Sequence, residues 1–197
     1  MQSYQLISLD IWDTVLRRDC HPDAIKVETA AVLLEQRGAL LKEEYRSGRT
    51  LFRLRQAVER DLGQQSVSQG YDDEYEMHAV FREVLVRSLS EPLPEEELSA
   101  LTERLVAEEL AAEKRHIYLD PGIEAKIDSI PHERLVCISD FYAGEAFLRE
   151  LIEAAGFSKP LERVLVSCDF RVNKRSGRLF EESEKLLGVT PAAHMHL

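Results

Sequence analysis

Carboxylate, hydroxyl and ammonium groups stand at the ends of three short apolar runs in this 197-residue chain. Asp10 closes "QLISLD", and Asp13 and Thr14 lie just beyond it. Ser139 and Asp140 close "RLVCISD", and Lys174 closes "RVLVSCDFRVNK" ahead of an amphipathic segment. If the three runs are neighbouring parallel strands, these groups converge on one crevice. A carboxylate there can attack as a nucleophile. A hydroxyl and an ammonium beside it can hold a transferring group and offset its negative charge. A Mg²⁺ ion would fit the oxygen donors and relieve repulsion between carboxylates and a phosphate. Phosphoryl or acyl transfer is the chemistry such a set suits.

The elements that must position these groups read clearly. Residues 4–9, 134–139 and 163–167 are continuous runs rich in Val, Leu and Ile, the signature of parallel strands covered on both faces. "HMHL" at 194–197 reads as the start of a fourth, with His194 and His196 as alternating strand residues. Between the strands, "AGEAFLRELIEAAGF" and "GRLFEESEKLLGV" carry helical apolar spacing, with Gly156 and Gly188 as stops. Strand and helix alternate, so the spacing predicts an α/β fold with a Rossmann-like parallel sheet.

Residues 20–118 read differently, as a run of helices. The first, "DAIKVETAAVLLEQRG", opens on Asp23 as a cap candidate. Leu51, Leu54, Val58 and Leu62 form one apolar stripe, and Met77, Val80, Phe81, Val84 and Leu85 another. The expected organisation is a core of residues 1–19 and 119–197, with 20–118 inserted as a helical cap after the first strand. Such an insertion is expected over the carboxyl edge of the sheet, where open α/β folds bind ligands.

Composition sets bounds. Lys plus Arg is 25 and Asp plus Glu is 36, for a formal net charge of −11. That charge disfavours nonspecific binding to nucleic acid or anionic membranes. No apolar run reaches the roughly 18 residues of a membrane span, and "MQSYQLISLD" lacks the pattern of a signal peptide. Cys20, Cys137 and Cys168 are scattered, as expected of reduced cytoplasmic thiols.

On these residues the chain resembles the haloacid dehalogenase superfamily. "SLDIWDTVL" resembles motif I at Asp10 and Thr14, "LVCISD" motif II at Ser139, and "NKRSGRLF" motif III at Lys174. "LDIWDT", "SDFY" and "YLDPG" further resemble a subgroup that accompanies bacterial glycosyltransferases in polysaccharide biosynthesis. The resemblance implies a small phosphorylated metabolite as substrate, a sugar phosphate or a relative, and a glycosyltransferase domain as partner. It implies Asp10 as nucleophile, and Mg²⁺ held by Asp10 and the Trp12 backbone carbonyl. Ser139 would bind phosphoryl oxygens and Lys174 would neutralise nucleophile and phosphate. Thr14 and Asp140 join them as candidate substrate-binding groups, although an Asp in Asp140's position is more often a helix cap than a ligand.

Two departures bear on activity. Family phosphatases carry a second Asp two positions after the nucleophile, as general acid/base. Trp12 stands there, and an indole cannot protonate a leaving alkoxide. Asp13 is one residue further on, where its side chain aims elsewhere. Dehalogenases of the family also lack that Asp. The family's acidic motif IV is expected after a fourth strand, and the chain reads as truncated before it. The residues thus leave two functions: a Mg²⁺-dependent hydrolase using Asp10, or a catalytically weak or inactive domain that binds a phosphorylated ligand or a partner.

Overall fold

A computed structural model describes residues 4–197. The chain divides into two compact units. One comprises residues through Asp19 together with Ile117–Leu197, and the other is Cys20–His116.

The first unit is built on four parallel strands: β1 (Tyr4–Leu9), β4 (His132–Ser139), β5 (Val164–Val166) and β6 (His194–His196). Their spatial order is β5-β4-β1-β6. Register sets Leu9 against Cys137, Ser139 against Val166 and Ser8 against His196. Leu6, Ile7, Ser8 and Leu9 are all fully buried, which is why this strand shows no apolar/polar alternation. Leu6, Val136, Ile138 and Leu165 pack with Val172, Leu179 and Leu187 in one core cluster. Helix α6 (Glu145–Ala154) buries Phe147, Leu148, Leu151 and Ile152. Helix α8 (Arg178–Leu187) buries Leu179, Ser183 and Leu187 and ends at Gly188, whose φ of 67° is left-handed.

Three features differ from the sequence reading. The third apolar run forms a strand only over Val164–Val166. Ser167–Phe170 then turn into a short helix, α7, where the Ser167 hydroxyl accepts from the Phe141 amide at 3.0 Å. The helical pattern ends at His116, because Ile117–Leu119 form a strand, β3. This strand pairs antiparallel with β2 (Leu16–Arg18) in a separate two-stranded ribbon. Asp120, in "YLDPG", fastens it: its amide donates to the Val15 carbonyl and its carboxylate pairs with Arg17 at 2.5 Å. A short helix, α5 (Ile123–Asp128), follows.

The second unit holds four helices: α1 (Pro22–Arg37), α2 (Gly48–Ser68), α3 (Met77–Ser88) and α4 (Glu95–His116). The α1 cap is His21, not Asp23: Pro22 fits the first helical position, and the His21 ring accepts from the Asp23 amide at 3.1 Å. Leu51, Leu54, Val58, Met77, Val80, Phe81, Val84 and Leu85 are buried as the stripes predict, whereas Leu62 is only half-buried. Charged side chains share that interior. Arg55 forks onto Glu109 and also reaches Glu59 at 2.9 Å, and Lys26 pairs with Glu59 at 2.8 Å. No helix among the described residues is long and apolar enough to cross a membrane.

Candidate active site

Asp10 is the first residue past β1. Its amide donates to the Leu197 carbonyl at 2.8 Å, so the backbone stays in line with the sheet. Its Oδ1 accepts from the Ile11 amide at 2.8 Å and pairs with Lys174 Nζ at 2.7 Å. The chain then turns tightly. The Ile11 carbonyl accepts from both Val15 and Leu16 amides, and the Asp13 amide donates to the Leu16 carbonyl at 2.8 Å. Asp13 is exposed, with φ of 62°, a left-handed conformation that Asp tolerates better than most residues. Its place is that of a turn residue. Thr14 is half-buried in the same turn, with no side-chain hydrogen bond among the described residues.

Ser139 ends β4 fully buried, and its Oγ has no hydrogen-bond partner among the described residues. A buried hydroxyl left unpaired costs about 1–3 kcal/mol, so it needs a reason. Asp140 caps no helix. The N-terminus of α6 is met instead by Asp169, whose Oδ2 accepts from the Glu145 amide at 3.0 Å. A Cβ at Gly144 would lie 2.5 Å from Asp169 Oδ1, so only glycine lets that carboxylate approach. Asp140 Oδ1 accepts from the Lys174 backbone amide at 2.8 Å. Desolvation holds the Asp140 carboxyl above its ordinary range, against the bond from the Lys174 amide and the Lys174 charge. Lys174 is thus held at two points, by its amide to Asp140 and by its ammonium to Asp10. The structure therefore brings Asp10, Asp140 and Lys174 together, and sets Ser139 at the end of the strand beside them.

Two further side chains belong to this neighbourhood. His196, opposite Ser8, is pushed down to about 4, chiefly by desolvation and then by the Lys174 charge. Its Nδ1 meets the Ser8 hydroxyl at 2.8 Å, and that hydroxyl also meets His194 Nε2 at 2.7 Å. His194 Nδ1 in turn meets Glu184 at 2.9 Å. The alternating-strand reading placed both histidines on β6 but not in this chain of contacts.

The second is the Trp12 side chain, which sequence reasoning considered only as an absent acid and a backbone ligand. Its indole packs on Phe141, with ring centroids 5.1 Å apart, so it spans from the loop after β1 to the loop after β4. The Arg18 guanidinium lies 3.4 Å over the indole ring. Trp12 Nε1 is buried and has no hydrogen-bond partner among the described residues. The available signal was that the chain's only tryptophan occupies the position two past Asp10.

A Mg²⁺ ion typically keeps several waters and uses one or two carboxylates with substrate phosphate oxygens. Asp10 supplies one such carboxylate, with its Oδ1 engaged by the Ile11 amide and Lys174. Among the described residues, no trio of His, Cys, Asp or Glu side chains converges around Asp10.

No protein-family model matches the chain, and no curated protein matches it. Solved structures do. A 2-haloacid dehalogenase from Pseudomonas syringae pv. Tomato DC3000 matches with a TM-score of 0.66 at 17% identity, over 98% of this chain and 76% of that one. An L-2-haloacid dehalogenase from Xanthobacter autotrophicus matches with a TM-score of 0.51 at 18% identity, over 98% and 69%. The defluorinating L-2-haloacid dehalogenase Rha0230 matches with a TM-score of 0.51 at 16% identity, over 98% and 72%. At these identities the likeness is one of fold: an α/β, Rossmann-like fold of the haloacid dehalogenase type.

Proposed function

We propose that the protein is a hydrolase of the haloacid dehalogenase superfamily, with Asp10 as nucleophile and a covalent aspartyl intermediate. The observation that carries this reading is the Asp10–Lys174 contact at 2.7 Å, set beside the buried Ser139 hydroxyl, which has no partner among the described residues. The ammonium holds the Asp10 carboxylate in place for attack and offers positive charge beside the reacting group. The Ser139 hydroxyl gains its missing bond when a substrate oxygen enters, which turns the cost of its burial into selectivity for a bound ligand. Asp140 acts by holding the Lys174 backbone, a positioning role.

For the substrate, we propose a phosphorylated sugar or related metabolite. Lys174 and Ser139 suit phosphoryl oxygens as a point charge and a hydroxyl donor. Asp10 and the Trp12 carbonyl would hold Mg²⁺, which when bound supplies positive charge against the phosphate. The Cys20–His116 helices would serve as the family's cap insertion. A polysaccharide-biosynthesis setting in the cytoplasm, with a glycosyltransferase domain as partner, completes this proposal.

A second reading has a specific observation behind it. Position 12 offers no carboxylic acid, and haloacid dehalogenases are among the structures of like fold. Carbon–halogen hydrolysis needs the same attack by Asp10 and no protonated leaving group. A binding domain without turnover is the remaining alternative. One experiment separates the three: assay p-nitrophenyl phosphate, sugar phosphates and 2-chloropropionate, each with Mg²⁺ and with EDTA. Mg²⁺-dependent phosphate release supports the first reading, and EDTA-insensitive chloride release the second. No turnover leaves the binding domain. Either activity must vanish in Asp10→Asn.

A further inference from the structure

The Trp12 indole is the feature that the nucleophile, hydroxyl and ammonium do not use. It stands two residues from Asp10. Its ring crosses to Phe141, which follows Ser139 and Asp140 directly. Its N–H is buried without an acceptor among the described residues, as unusual for a tryptophan as the unpaired hydroxyl is for Ser139. A guanidinium 3.4 Å above the ring face draws on its electron density and makes the N–H a stronger donor. An indole N–H donates a hydrogen bond but does not release its proton. It can therefore stabilise an anion that leaves, and cannot complete a leaving group that must be protonated.

We propose that the Trp12 indole N–H is the hydrogen-bond donor to the departing group, so that the site selects substrates whose leaving group departs as a stable anion. This rests on the reading of Asp10 as nucleophile. In the step concerned, an Asp10 oxygen forms a bond to the reacting carbon or phosphorus. The bond to the leaving group breaks and its electron pair goes with that group. The anion accepts a hydrogen bond from Trp12, and the indole proton stays on nitrogen. Water then cleaves the aspartyl intermediate, giving the hydroxylated product, one proton and the free carboxylate. Arg18 is a positioning residue here, acting through the indole it covers.

The test compares 2-chloropropionate and p-nitrophenyl phosphate, whose leaving groups need no proton, with glycerol phosphate, whose alkoxide does. The unaltered protein is expected to favour the first two by at least about 10²-fold in kcat/KM, the size of a missing general acid. Trp12→Phe keeps an aromatic ring at this position, though a smaller one, and removes the N–H. It is expected to lower kcat on the first two by roughly 10- to 100-fold, the loss of one hydrogen bond to an anion. Trp12→Asp is expected to raise turnover of glycerol phosphate and to add an alkaline limb to its pH profile. Unchanged kcat in Trp12→Phe, or equal use of all three substrates, overturns the proposal. Asp10→Asn distinguishes the two levels: if it retains activity, the nucleophile reading fails first. A measurement independent of turnover and of variants uses Trp12 as the chain's sole tryptophan. Its emission in the unaltered protein, titrated with bromide and with inorganic phosphate, is expected to change along a saturating curve. Non-saturating quenching equal to that of free N-acetyltryptophanamide overturns the proposal.

Discussion

Lys174 holds Asp10 through its ammonium at 2.7 Å and is itself fixed, through its backbone amide, by Asp140. Three loops from separate parts of the sequence are thereby tied into one constellation: the turn after β1, the end of β4 and the approach to α8. The ammonium's reach onto the carboxylate is set by a backbone hydrogen bond, not by the flexible lysine stem alone.

Asp140→Ala should therefore loosen Lys174 without removing any reacting group. The lost bond is one from a backbone N–H to a charged group, worth about 1.5–3 kcal/mol at most and less at an exposed site. We expect kcat to fall by roughly tenfold, with Asp140→Asn recovering much of it because the amide oxygen still accepts. Steady-state kinetics of both variants check this. Equal loss in the two variants would mean that the charge, not the hydrogen bond, is what matters.

His196 predicts a pH dependence. Its folded-state value is pushed down to about 4, from an ordinary value of 6.5. Between those values the unfolded chain binds the proton and the folded chain does not, so stability falls as pH drops from about 6.5 to about 4. Thermal melts across this range should show a declining Tm. In His196→Gln the decline should be shallower, since the amide can keep a hydrogen bond to Ser8 without titrating. A decline of identical slope in the variant would assign the effect to other groups.

The buried charges of the helical unit give a third prediction. Arg55→Met removes the guanidinium that forks onto Glu109, which is fully buried, and should cost about 3–5 kcal/mol in urea unfolding. Replacing both, as Arg55→Met with Glu109→Leu, should recover most of that loss, because two matched apolar groups leave no uncompensated charge. A double variant as unstable as the single one would contradict this account of the pair.

Much of the first unit was legible because strands buried on both faces leave a simple trace. "YQLISL" and "RLVCIS" read as strands at once, and the polar groups closing them, Asp10 and Ser139, stand at their carboxyl ends. The β2–β3 ribbon left no such trace: three-residue strands are too short to show alternation. Asp140 was ambiguous for a different reason. A carboxylate that accepts from a backbone amide 34 residues away looks, in sequence, like one that caps the next helix. Arg55, Glu59 and Glu109 lie outside the apolar stripes and gave no sign of burial, because mutual pairing is what allows them inside. Trp12 was marked by what it replaces, and its side chain acquired a meaning only with Phe141 and Arg18 around it.

The central claim is that Asp10 attacks substrate and carries it covalently. The direct measurement is acid quenching during turnover of p-nitrophenyl phosphate or 2-chloropropionate, followed by peptide mass spectrometry. The account predicts an adduct on the peptide containing Asp10, at Asp10 itself, and neither adduct nor turnover in Asp10→Asn. Turnover that survives Asp10→Asn, or an adduct on another residue, would contradict it.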